Sequence, residues 1–157
     1  MEELTPITAH GKHDRYAQLY PQLKALVEGE SDVIANMANI ASALHVTFRF
    51  WWTGFYRVSG DELILGPFQG PVACSRIAYG RGVCGAAWRE KQTQVVENVE
   101  LFPGHIACSS ASRSEIVVPV WRGGVIVGVL DIDSEHLATF DSTDKEWLEH
   151  IVSLLDN

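Results

Sequence analysis

The chain holds only three cysteines, no Cys-X-X-Cys pair, no run of basic residues and no long apolar stretch. Each shortage excludes something. Thiols at 74, 84 and 108 match no common zinc-ligand spacing, so no metal site is expected from the sequence. An odd number of thiols also argues against a disulfide framework, leaving catalytic, redox-sensing or inert buried cysteines. Acids outnumber bases 20 to 12, giving a net charge of −8, which disfavours a nucleic-acid partner because phosphate recognition relies on clustered Lys and Arg. No segment approaches the ~20 apolar residues of a membrane span. The opening MEELTPITAH is acidic and lacks the apolar stretch of a signal peptide. The expectation is a cytoplasmic protein whose thiols are kept reduced.

What is present fits one domain over residues 1–157, with 1–14 as a loose arm. Leu19, Leu23, Leu26 and Val27 mark a helix over Tyr16–Glu28, with Pro21 disturbing its first turns. Ser31 or Asp32 caps a second helix with Val33, Ile34, Met37, Ile40, Ala41 and Leu44 on one face. Strands are expected over Phe50–Val58, Glu62–Leu65, Val72–Ile77 (carrying Cys74), Thr93–Val96, Glu115–Trp121 and Val125–Asp133. A short helix over Val83–Lys91 holds Cys84 in its first turn, and a long loop over Asn98–Ser114 carries His105 and Cys108. A last helix begins near Asp141–Thr143, with Thr143 and Glu146 as a capping box. This order reads as α+β, with one antiparallel sheet of about six strands.

Glu115, Asp131 and Asp133 lie on the two strands of the last hairpin. A two-residue turn at Gly123–Gly124 would oppose Ile116 to Asp131 and put Glu115 on the other face. A three-residue connection opposes Glu115 to Asp131 and brings all three acids to one face. The second register is expected, unless a bulge intervenes. Asp131 continues the apolar run ValIleValGlyValLeu, so it is buried and needs a partner.

Each candidate has a plain structural alternative. Cysteines are commonly inert core, acids at strand ends are commonly solvated, and Trp51, Trp52, Phe55 and Tyr56 suit a sheet core. His105 could assist a thiol or satisfy a loop carbonyl, while His10 and His13 have no evident role. Strand alternation requires one of Trp51 and Trp52 to face away from the core helices.

The segments WWTGFY (51–56), LILGPFQGPVACSRIAYGRGVCGAA (63–87), FPGHIACSSASRSEIVVPV (102–120) and GVLDIDSEHLATFD (128–141) resemble the free methionine-R-sulfoxide reductases, single-domain enzymes of GAF-type fold. The resemblance covers about Tyr16 to Leu155. It implies helices on one face of the sheet and a substrate pocket under loops on the other. It implies reduction of free methionine (R)-sulfoxide, with Cys108 as nucleophile, Cys84 as resolving thiol and Cys74 as an auxiliary thiol. Glu115, Asp131 and Asp133 would line the pocket, with Trp52 and Tyr56 as its apolar wall and Glu115 as proton donor. Thioredoxin would be the external reductant, with no bound cofactor, and a homodimer would be expected. Ser109 stands where the family commonly has an acid. The rival expectations are a GAF-type sensor that binds without turnover and a thiol peroxidase. Because Cys84 and Cys108 lie on separate segments, the 98–114 loop is expected to shift when they bridge.

Overall fold

The computed structural model describes residues 3–105 and 111–157. Helix α1 spans Lys12–Glu28 and buries Tyr16, Leu19, Leu23 and Val27, one residue per turn. It starts four residues earlier than the apolar spacing predicts, so Pro21 falls in its interior. Residues before it are tied down as well. The Thr5 N–H donates to Gln22 Oε1 at 2.6 Å, the Thr8 N–H donates to Gln18 Oε1 at 3.0 Å, and Leu4 and Ile7 pack on the core. Helix α2 spans Val33–Phe48, and its Asp32 cap accepts from the Ala35 N–H at 2.9 Å, as the sequence predicts.

The strands are β1 (Trp52–Ser59), β2 (Glu62–Gln69), β3 (Arg76–Ala78), β4 (Gln94–Val96), β5 (Ser114–Arg122) and β6 (Val125–Ser134). They form one antiparallel sheet in the order β3-β2-β1-β6-β5-β4. Helix α3 (Gly82–Glu90) and a short 3-10 helix (Val99–Leu101) lie between β3 and β5, and α4 (Ser142–Ser153) follows β6. The α+β class and six-stranded sheet are as expected. Two local expectations are corrected. Cys74 sits in the loop before β3 rather than on a strand. The α4 capping box is Asp141 with Asp144, because Asp141 is the residue with extended backbone at the helix entrance.

The sheet separates two cores. On one face Phe55, Ile116, Val118, Val120, Leu130 and Ile132 pack with α1, α2 and α4. On the other, Trp52, Tyr56, Val117 and Val129 pack with Val83, Cys84 and Ala87 of α3. Odd positions of β5, odd positions of β6 from Val129 onward and even positions of β1 therefore share the α3 face.

The hairpin register differs from expectation. Gly123 (φ 59°) and Gly124 (φ 80°) form a two-residue turn, with Arg122 opposite Val125. The pairing then shifts by one, since Trp121 faces Ile126 while Val120 faces Gly128, leaving Val127 as the extra residue of a bulge. The result is Glu115 opposite Asp133 and Val117 opposite Asp131, not Glu115 opposite Asp131. The bulge restores the parity that a two-residue turn alone would have lost. All three acids still share one face.

Candidate active site

The α3 face ends in a cavity lined by Trp52 and Tyr56 of β1, Glu115 of β5, Asp131 and Asp133 of β6, and Cys84 of α3. Ala73, Arg81, His105 and Ser112 also reach it. In β1, Trp52 pairs with Asp133 and Gly54 with Asp131, which sets the aromatic wall beside the acids. The Trp52 ring stacks on Phe68 (5.3 Å between centroids) and on Tyr56 (6.0 Å). Its Nε1–H donates to the Pro71 carbonyl at 2.9 Å. A side chain at position 54 would collide with both the Trp52 ring and Phe68, so only glycine lets the indole lie along the strand here. The Tyr56 hydroxyl donates to the Cys74 carbonyl at 2.9 Å, fixing the Cys74 loop at the cavity edge.

Glu115 and Asp131 are each 6% exposed, and Asp133 is partly exposed. Burial pushes the Glu115 carboxyl well above its ordinary range, and the neighbouring charges of Asp131 and Asp133 push it further. Burial, then Asp131, likewise drives Asp133 well up, against bonds from Glu115 and from Ser112, whose Oγ donates to Asp133 Oδ1 at 3.1 Å. Asp131 is raised by burial but restrained by bonds from Glu115 and Cys84 and by His105. Carboxylates this close cannot all be charged, and a proton on Glu115 serves both aspartates. Asp131 Oδ1 is nevertheless buried with no hydrogen-bond partner among the described residues. Among those residues no Lys or Arg forms an ion pair with any of the three acids.

Cys84 is a free, buried thiol at 4% exposure, bonded to Asp131. Burial first, then the charges of Asp131, Glu115 and Asp133, push its pKa well up, so it rests as a thiol. Cys84, Glu115 and Asp131 each bring a donor atom within 4.8 Å of the others. Cys74 is half-buried beside this cluster and, unlike Cys84, is disulfide-bonded. Cys108 and Ser109 lie outside the described residues. His10 is exposed, and His13 Nδ1 accepts from the Trp147 indole at 3.0 Å, far from the cavity in the helix layer.

The cavity thus gathers Cys84, Glu115, Asp131, Asp133, Trp52, Tyr56 and His105. Of the two adjacent tryptophans, Trp52 is buried in the core on the α3 face, and the half-buried Trp51, just before β1, packs on the same cluster and also lines the cavity. Ser112 and Arg81 were not singled out from sequence. Ser112 follows a serine-rich stretch at the start of β5, which is a weak signal, and Arg81 carries none.

Residues 28–156 match the GAF domain family model. The chain is 52% identical to the GAF domain-containing protein A of Dictyostelium discoideum, over 100% of both chains. It is 44% identical to the free methionine-R-sulfoxide reductase of Escherichia coli, over 92% of this chain and 88% of that one. In structure it superimposes on the free methionine-R-sulfoxide reductase of Neisseria meningitidis, solved with its substrate, with a TM-score of 0.96 at 50% identity over 99% of this chain and 94% of that one. The chain belongs to the GAF-domain family, in the branch that holds the free methionine-R-sulfoxide reductases.

Proposed function

We propose that this protein reduces free methionine (R)-sulfoxide to methionine. The observation that carries the reading is the carboxyl cluster Glu115–Asp131–Asp133, which pairs with no Lys or Arg among the described residues and sits beside the Cys84 thiol under an aromatic wall. The named relatives point the same way, among them the enzymes of Escherichia coli and Saccharomyces cerevisiae.

The chemistry follows from the residues. A sulfoxide oxygen leaves sulfur only when it is protonated or strongly hydrogen-bonded. Glu115, which lines the cavity and whose pKa burial and the charges of Asp131 and Asp133 push well above the ordinary carboxylate range, is the donor. The sulfur of Cys108 attacks the sulfoxide sulfur. Oxygen, carrying the proton that Glu115 gave it, ends on Cys108 as a sulfenic acid, the thiol proton of Cys108 passes back to Glu115, and methionine leaves as the thioether. The Cys84 thiol then displaces water from the sulfenic acid and forms a disulfide. A thioredoxin dithiol reduces that disulfide, becoming oxidised itself and restoring both thiols. Cys74, disulfide-bonded at the cavity edge in this structure while Cys84 is free, is a second partner for this exchange and can take the resolving part in place of Cys84. Asp131 and Asp133 hold the α-ammonium of the free amino acid, and Trp52 and Tyr56 receive its side chain. A methionine within a peptide has no ammonium to offer the cluster, hence the selectivity for the free form.

The test is turnover of free methionine (R)-sulfoxide by purified protein with thioredoxin, thioredoxin reductase and NADPH. NADPH consumption should require Cys108 and fall to background in Cys108→Ser. The (S)-sulfoxide and peptide-bound sulfoxide should be poor substrates. Binding without NADPH consumption would identify a sensor instead, and a preference for hydroperoxides would identify a peroxidase.

A further inference from the structure

Cys84, Glu115 and Asp131 come from α3, β5 and β6, so no sequence spacing announces them as a set. Their thiol and carboxyl donor atoms nevertheless converge within 4.8 Å, all three residues buried. A tetrahedral zinc ion with Zn–S near 2.3 Å and Zn–O near 2.1 Å places its ligand atoms about 3.4–3.6 Å apart. Side-chain shifts of about 1 Å separate this arrangement from such a set. A second observation points to a ligand. Asp131 is 6% exposed, and its Oδ1 has no hydrogen-bond partner among the described residues while the residue lines the cavity. A buried carboxylate oxygen in that state calls for a cation or a donor from outside.

We propose that the reduced, substrate-free site binds one soft or borderline divalent cation, of the Zn2+ class, on Cys84 Sγ, Glu115 and Asp131. Binding releases the protons those groups hold, and no electrons move. The thiolate selects against Mg2+ and Ca2+, which prefer oxygen ligands alone. Three protein donors leave a fourth position facing the cavity, so the ion occupies the space of the substrate ammonium and ties up Cys84. Zinc is therefore a reversible inhibitor that competes with substrate. The inhibitory consequence rests on the function proposed above. The binding itself does not.

The experiment uses the full-length, fully reduced chain with Co2+ as a spectroscopic probe and Zn2+ in calorimetry. One ion per chain should bind, and Co2+ should develop a near-ultraviolet thiolate charge-transfer band that Zn2+ abolishes and Mg2+ does not. Cys84→Ser should lose the band, while Cys74→Ser and Cys108→Ser keep it. Asp131→Asn, which preserves side-chain shape, should keep the band and weaken Zn2+ affinity at least tenfold. Free methionine (R)-sulfoxide should raise the apparent Kd for Zn2+. The proposal is overturned if no stoichiometric binding occurs, or if the band survives Cys84→Ser and disappears with another cysteine. It is also overturned if Asp131→Asn leaves the affinity unchanged. If Zn2+ binds as stated and the protein turns over no sulfoxide, the metal site stands and the catalytic assignment falls.

Discussion

On the helix face of the sheet, Asp144 of α4 is buried at 1% exposure and both of its oxygens are hydrogen-bonded. Lys12 donates to its Oδ2 at 2.7 Å, the Tyr16 hydroxyl donates to its Oδ1 at 2.7 Å, and the Asp141 N–H donates to Oδ2 at 2.9 Å. On the α3 face, Glu115 and Asp131 are nearly as hidden, and among the described residues they have one another, Asp133, the Cys84 thiol and the His105 ring but no lysine or arginine. The first cluster carries its own cation and ties α1 to α4. The second has no lysine or arginine among the described residues, and burial with mutual repulsion raises its carboxyl pKa values instead. A protein that places a lysine beside one buried acid and withholds it from three others keeps the latter available for a cation from outside.

The comparison can be broken most severely through chemistry. Glu115→Gln keeps the shape of the cluster but removes the transferable proton, so kcat should fall by about 10²–10³-fold. Full turnover in a coupled assay would remove Glu115 from the role of proton donor. The matching change on the other face is structural. Asp144→Ala leaves the buried Tyr16 hydroxyl unpaired, takes from Lys12 its shortest carboxylate contact (leaving Asp141 and the Thr139 carbonyl) and removes half of a capping box, and should cost about 3–5 kcal/mol in urea unfolding. A loss below ~1 kcal/mol would mean that the Asp144 network does not hold the helices together.

Gly54→Ala comes next. The added methyl collides with the Trp52 ring and Phe68, so the indole must leave its place along β1. A cost of about 1–3 kcal/mol is expected, with KM rising more than kcat falls. Unchanged KM would show that the Trp52 wall does not contact substrate. Smaller still, Asp131→Asn removes one uncompensated buried charge. Stability at pH 8 should rise by about 1 kcal/mol while substrate affinity drops, the reverse of the Asp144 result.

The pH response separates the two regions by sign. The Glu115, Asp131 and Asp133 carboxyls are raised in the folded protein, so the native state holds protons that the unfolded chain has released above pH ~4. Their contribution is full below that pH and is lost as pH rises through the elevated values. Asp141 behaves oppositely. Its slight burial pulls its pKa up, but bonds from Lys12 and from the Asp144 and Thr143 N–H groups outweigh this and hold it down. Its contribution is present above pH ~4 and is lost in acid. Thermal melts from pH 3 to 9 should show both trends, with the alkaline decline flattened in Glu115→Gln.

Much of this was legible in the chain itself. Alternation along β5 and β6, the Asp32 cap, the Leu19–Leu23–Val27 stripe and the position of Cys84 in the first turn of α3 follow from local periodicity and hydrogen-bonding preference. The start of α1 did not, because arm contacts from Thr5, Thr8, Leu4 and Ile7 and the Lys12–Asp144 pair act across the fold. Nor did the placement of Cys74, since of the segment 72–77 only Arg76 and Ile77 pair with β2 as strand, while the Cys74 carbonyl is held by the Tyr56 hydroxyl.

The sequence by itself determined which groups exist and which face of its own strand each one occupies, because side-chain direction along a strand is a local property. It could not set how strands align with one another. That rested on the Val127 bulge, which puts Glu115 opposite Asp133 and carries the parity of one strand onto the next. Only tertiary structure then decided that Cys84 of α3 meets Asp131 of β6, and that no lysine or arginine among the described residues pairs with those acids. Burial and partner choice are sums over elements distant in the chain, and those sums turn ordinary carboxyls and a thiol into a site waiting for a cation.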